Sequence, residues 1–567
     1  MTKYWQRKTV AALAFLGLAA LSQTASAQCT PTATTGGPDV IVGDLNGVAN
    51  YAAVGNIEAL AIGTTSCNIG DVWLNWISSN NQHPVIGQTL YRYKVVNGAG
   101  QFEQVGQGWL KHGFFALSQG LCCTGCQSTD GSHLGVKCSD PYTAARNGSQ
   151  SGLGPKWQVN AHTGGYSYPP ANPAWGGSIA RRVQVDVADL EVTGGTTRYF
   201  GTGHYVTPDD AAAGKQNNNE SWREATVSGS GTAWTFGFTG ATQRTQYALR
   251  SWKSADAAVT LNEIQVPGDG LLIVGFRATP IAGGLHHYEY AVQNLNNDRS
   301  VYSFSVPIGA GVTLSNIGFN DVTYHSGDGE SNVSRDGTDW SVSQSGGAIT
   351  WNAAQTFGAN ANGNAIRWGT TFSFRFDADA APTTGLATLG HWKIAGTSTT
   401  NVDVPGVGGP ASLAFCFGDG SGTACPCANN STPGNNEGCL NSLGTGASLT
   451  TTGTGSVSAD TLALVGNGMP DSSALYFQGT TQQSGGAGAV FGDGLRCAAG
   501  SIIRLGTKLN SLGSSQYPVG GDQPISIRGA VAAGDVRTYQ VWYRNAAAFC
   551  TASTFNVSNG FQQVWAL

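Results

Sequence analysis

The sequence predicts an all-β protein: tandem antiparallel β-sandwich domains, with disulfide-stapled, loop-rich segments at both ends. Three observations carry that prediction. Apolar and polar residues alternate with period two in run after run, as in Val183-Gln184-Val185-Asp186 and Thr371-Phe372-Ser373-Phe374-Arg375-Phe376, which is the pattern of a strand with one buried face. Glycine supplies 81 of the 567 residues, dense enough punctuation to interrupt any long surface helix. The twelve cysteines gather at the two ends of the chain, with none between Cys138 and Cys416.

The chain opens with Lys3, Arg7 and Lys8, an apolar run from Thr9 to Leu21, and the small residues Ala25-Ser26-Ala27. That order is a secretory signal covering residues 1–27, cut after Ala27. The apolar run is shorter than the roughly 20 residues needed to span a bilayer. No later stretch is a membrane span, so the mature chain is expected to be secreted, extracellular or displayed at the cell surface.

Residues 28–187 read as a loop-rich, cysteine-containing β-domain. Its Cys29, Cys67, Cys122, Cys123, Cys126 and Cys138 form disulfides in an oxidising compartment. Zinc on Cys123, Cys126, His133 and Cys138 is the alternative. Trp157, Tyr166, Tyr168 and Trp175 lie among Pro169, Pro170 and Pro173. Rings on a rigid loop can stack on sugar faces, or they can plug a small core.

Residues 188–400 hold no cysteine and read as one or two sandwich units. Leu271-Leu272-Ile273-Val274-Gly275-Phe276 is apolar throughout, the mark of a strand buried on both faces. His287 and Glu289 share a strand face, while Asp321 and His325 follow downstream. If the strands pair suitably, these four would surround zinc, iron or manganese. Asp328, Glu330, Asp336 and Asp339 present hard oxygens on a glycine-bearing loop, as a structural calcium ion requires. The competing reading of both sets is ordinary solvated polar positions. Residues 401–412 carry Pro405, Gly406, Gly408, Gly409 and Pro410 and read as a linker. Residues 413–567 form a cysteine-rich β-domain stapled through Cys416, Cys425, Cys427, Cys439, Cys497 and Cys550; connectivity is not fixed by spacing.

A net charge of -5 leaves no basic face for nucleic acid. No G-x-S-x-G elbow and no H-E-x-x-H pair occurs, so neither a hydrolase serine nor a helical zinc site is indicated. Three stretches are more telling: Gly37-Pro38-Asp39-Val40-Ile41-Val42-Gly43-Asp44-Leu45, Trp109-Leu110-Lys111-His112-Gly113-Phe114, and Phe417-Gly418-Asp419-Gly420-Ser421-Gly422-Thr423-Ala424-Cys425-Pro426-Cys427. With these the chain resembles a group of large exported bacterial proteins in which a Cys-Pro-Cys module recurs at the C-terminus. The resemblance implies an extracytoplasmic location and a terminal attachment module, and it transfers no catalytic residue. The expected function is therefore a binding or structural role toward polysaccharide or cell-envelope material. The alternative is an exported metal-dependent enzyme acting on a polymer through His287, Glu289, Asp321 and His325.

Overall fold

The computed structural model describes residues 29, 31–171, 177–309, 311–324, 327–406, 413–532 and 535–565. Antiparallel sheets dominate, and disulfides staple the N- and C-terminal regions. The signal segment lies outside the described residues. No helix among those described is long and apolar enough to cross a membrane.

The first sheet runs in the order Val40–Val54, Ile57–Asn68, Val183–Asp186, Ala99–Gln107, Val85–Val96, Thr197–Val206, Glu220–Ser230 and Ala233–Phe238. It curls until its first strand meets its last: Asn50 exchanges hydrogen bonds with the Phe236 backbone, at 2.8 Å to its nitrogen and 3.1 Å to its oxygen. This sheet continues past the boundary expected at residue 187, because Thr197–Phe238 pairs into it. Cysteine grouping and sheet grouping are separate properties of the chain.

The long loop, whose Ala116 and Leu134 pack into the core of this sheet, is pinned by Cys29–Cys123, Cys67–Cys122 and Cys126–Cys138. These pairings remove the zinc alternative, since no thiolate is left to bind a metal. Gly43 makes the second bridge possible: a Cβ there would lie 2.2 Å from the sulfurs of both Cys67 and Cys122.

The middle unit is a sandwich of two five-stranded sheets. One is ordered Thr260–Gln265, Leu271–Pro280, His286–Asn294, Thr370–Ala378, Leu314–Asn320; the other Ser341–Ser345, Ala348–Asn352, Val301–Pro307, Pro382–His391, Thr397–Pro405. The last of these strands occupies the start of the expected linker, and 407–412 fall outside the described residues. Phe304, Trp351 and Phe374 fill the space between the sheets, with ring centroids 4.8–6.3 Å apart.

The strand from Leu271 is apolar on both faces, as its sequence requires. Leu272, Val274 and Phe276 point into the sandwich core. Leu271 and Ile273 point the other way, into a second cluster with Tyr91, Phe102 and Trp252 of the preceding region. That second cluster is the joint between the first two units. Tyr91 stacks on Phe102 at 5.4 Å, and Phe102 stacks on Trp252 at 5.6 Å.

The C-terminal unit packs a six-stranded sheet, including Ser473–Gly479, Ile503–Leu509 and Val536–Arg544, against Ser448–Thr452, Ala463–Asn467 and Ser515–Tyr517. Cys416–Cys497, Cys425–Cys439 and Cys427–Cys550 close it. Six disulfides suit a chain that folds outside a reducing cytosol.

Candidate functional site

Two polar assemblies occupy the joint: the first lies between facing strands of the first two units, the second among the loops and turns beside them. The first runs through His287 and Glu289, which alternate on one face of their strand as expected. Asp377, directly opposite His287 on the neighbouring strand, accepts from its Nδ1 at 2.6 Å, and Glu289 lies 3.2 Å from its Nε2. Glu289 also accepts from Arg375 at 2.9 and 3.2 Å. Arg375 then reaches across the joint to Glu103 at 2.6 Å, and Glu103 accepts from Arg92 at 2.6 Å. Burial works against a charge on His287, but its bonds to and the charges of Glu289 and Asp377 outweigh it and hold the imidazole above its ordinary pKa.

This assembly is an ion-pair chain, and the metal expectation fails on geometry. Asn320 lies opposite Ser373, which lies opposite Ala291. Asp321 therefore falls near the level of Val292, five residues from His287, about 16 Å away at about 3.3 Å per residue. Metal bonds of about 2 Å cannot bridge that. Asp321 is engaged instead by Asn364, with burial pushing its carboxyl up to about 6. His325 lies outside the described residues.

The four acids expected to bind calcium also disperse. Asp336 folds its carboxylate back onto Thr338, and Asp339 is exposed. Asp328 and Glu330 turn inward to line a cleft. Among the described residues no three His, Cys, Asp or Glu side chains gather to hold a metal ion.

That cleft is the second assembly. Trp109 precedes a strand of the first unit, and Lys156 and Trp157 sit on a single 3-10 turn. Opposite them stand Tyr324, Arg335, Arg367 and Trp368 of the middle unit. The Lys156 ammonium lies 5.8 Å from the Trp368 ring centre and donates to the Gly369 carbonyl at 3.1 Å. His204 meets the same ring edge-on at 6.1 Å. Burial pulls Lys156 down to about 8, while the Glu220 and Asp328 charges hold it up. Burial, then the charge of Arg335, lowers Arg367. The cavity measures ≈ 40 Å³.

Of the four aromatics expected to bind sugar, only Trp157 lines this cleft. Tyr166 is buried, donates to the His83 carbonyl, and belongs to a core cluster. Tyr168 donates to the Ser78 carbonyl at 2.7 Å. Their rings enclose His83 and His112, whose nitrogens lie 2.9 Å apart. Burial drives His112 down to about 3, helped by the charges of His83 and Lys111. Trp175 lies outside the described residues. Trp368, Tyr324, Arg335 and Arg367 went unmarked in the sequence, and Trp109 was noted only as part of a stretch that carries the resemblance. They come from four separate stretches of chain, so no local spacing points to them.

No protein-family model matches the chain, and no curated protein matches it. Among solved structures, a serine-rich repeat protein (Srr2) from Streptococcus agalactiae matches at 10% identity and a TM-score of 0.16, over 66% of this chain and 95% of that one. Likeness at that level carries neither fold nor function across.

Proposed function

We propose that the protein is exported, secreted or held at the cell surface, and binds polysaccharide or other cell-envelope material without catalysing a reaction on it. The cleft at the joint is the contact site. One observation carries this reading: Trp109, Trp157, Trp368 and Tyr324, drawn from two units, converge with charged side chains on a single concave surface. Aromatic rings set among polar and charged side chains in a concave site are how proteins hold small polar ligands. Trp157 is half-buried, which leaves part of its surface open for a pyranose to stack on. The six disulfides support the extracytoplasmic part of the reading.

Retention of the full chain on insoluble glycans tests it. Trp157→Ala is expected to weaken retention about tenfold, the size of a well-packed aromatic contact. Tyr168→Ala, outside the cleft, is expected to change nothing. Equal retention of wild type and Trp157→Ala would remove the cleft from the binding surface.

A further inference from the structure

Four buried donors on residues that line the cleft have no acceptor among the described residues: Nε1 of Trp109, Nε1 of Trp157, and one terminal nitrogen each of Arg335 and Arg367. Two of these residues are almost wholly enclosed, with Trp109 4% and Arg367 9% exposed. Leaving one buried donor unsatisfied costs about 1–3 kcal/mol, and more when it is charged. Four on the residues of one cleft form a set that only acceptors can complete.

Charge points the same way. Asp298 and Lys393 cancel as a pair at 2.8 Å. That leaves Lys156, Arg335 and Arg367 against Asp328 and Glu330, an excess of one positive charge. Size narrows the choice further. A cavity of ≈ 40 Å³ holds about three waters at about 10–15 Å³ each. A sugar ring does not enter such a slot, but a carboxylate or phosphoryl group does. A hydroxyl would bring a hydrogen of its own into a site already rich in donors, whereas an ionised oxyanion only accepts.

We propose that the slot binds an oxyanion, carboxylate or phosphoryl, carried by the envelope polymer whose ring rests on Trp157. This rests on the binding reading given above and names the ligand class: an acidic glycan or a phosphate-bearing polymer.

The test titrates the full chain with a polyuronate, with the same polymer after reduction of its carboxyl groups, and with a polyol phosphate. Polyuronate, polyol phosphate or both are expected to bind at least about tenfold more tightly than the reduced polymer. The difference is expected to shrink with added salt and with inorganic phosphate as competitor. The acidic arm that binds identifies the oxyanion. Arg335→Gln is expected to abolish the preference for the acidic polymers over the reduced one. Should that variant fail to fold, competition by inorganic phosphate on the wild type still decides. Equal affinity for acidic and reduced polymers overturns the oxyanion and leaves saccharide binding intact. A preference that survives Arg335→Gln also overturns it. Absence of binding to all three sinks both readings together.

Discussion

The middle and C-terminal units are both two-sheet antiparallel sandwiches, yet they hold together by different means. The middle core joins 24 buried apolar residues, nine of them aromatic, and needs no covalent link. The C-terminal core joins 16, and four of its six aromatics are tyrosines. Each of those hydroxyls needs a partner: Tyr476 donates to Ser515, Tyr517 to Gln523, and Tyr539 to Gln478, while Tyr543 accepts from Asn441. Buried amides add to the network, with Gln540 donating to Leu495 and Ser558 at 2.7 Å. Three disulfides close what this smaller core leaves loose. The lesson is that apolar volume and covalent staples substitute for one another when the fold type is held constant.

Reduction is the hardest blow to that contrast. Cys427 and Cys550 stand 123 residues apart, and a bridge over so long a segment stabilises by about 3–5 kcal/mol. Thiol treatment, or Cys427→Ser alone, is expected to unfold the C-terminal unit at a temperature where the middle unit keeps its own transition. Calorimetry with and without reductant separates the two. A single transition indifferent to thiol would mean the staples are dispensable. The converse perturbation is Phe374→Ala, which empties the centre of the middle core, where Phe374 contacts Phe304, Trp340 and Trp351. Its expected cost is about 3–5 kcal/mol, seen as a fall in the middle transition with the C-terminal one unmoved.

How much of this was legible beforehand depends on whether the signal was local. Strand alternation in Thr371–Phe376 and the two-sided apolar run from Leu271 are properties of neighbours in sequence, and both hold in the fold. The cleft is different. Trp109 and Trp368 are brought together by sheet closure and by the docking of two units, and no spacing in the chain encodes that. Trp157 was visible because rings on a loop invite attention, but Tyr166 looked the same and went into a core. His287 and Glu289 were correctly placed on one face; their partners Asp377 and Arg375 were not foreseen, because which side chains stand opposite on the next strand is fixed by register. Register also separated Asp321 from them.

A milder variant probes the joint against both sandwiches. Glu103→Gln keeps the shape but loses the charge shared by Arg92 and Arg375. Arg92 still has Asp189 at 3.2 Å and Arg375 still has Glu289 at 2.9 Å, so the loss is expected to be about 2 kcal/mol rather than that of an orphaned ion. Protease sensitivity between the first two units reports it, while the C-terminal unit is expected to be unaffected. Loss of the C-terminal transition in this variant would show that the stapled unit leans on the joint.

The gentlest probe removes no atom and uses pH. Burial pushes Glu220 up to about 7, against its bonds from Ala248 and Gln293. His287 is also held above its ordinary value, by Glu289 and Asp377 against burial. Both groups bind protons more tightly folded than unfolded, so their contributions share one sign. The Glu220 contribution is complete below about pH 4.3, the unfolded carboxyl's value, and is lost as pH rises through about 7. The His287 contribution is complete below about pH 6.5 and is lost as pH rises through its higher folded value. His204, which burial and then the Lys156 charge drive down to about 3, slopes the opposite way up to about pH 6.5, so the joint is expected to loosen chiefly as pH rises from about 6.5 into the mildly alkaline range. In the C-terminal unit, Asp419 and Asp522 are shifted downward instead, by Ser421 and Lys508 respectively. Across the same pH range that unit's transition is expected to stay level. Glu220→Gln removes the lower part of the slope and His287→Gln the upper part. If the wild-type slope persists in the double variant, neither group sets it, and the joint's sensitivity to protons must come from elsewhere in the first two units.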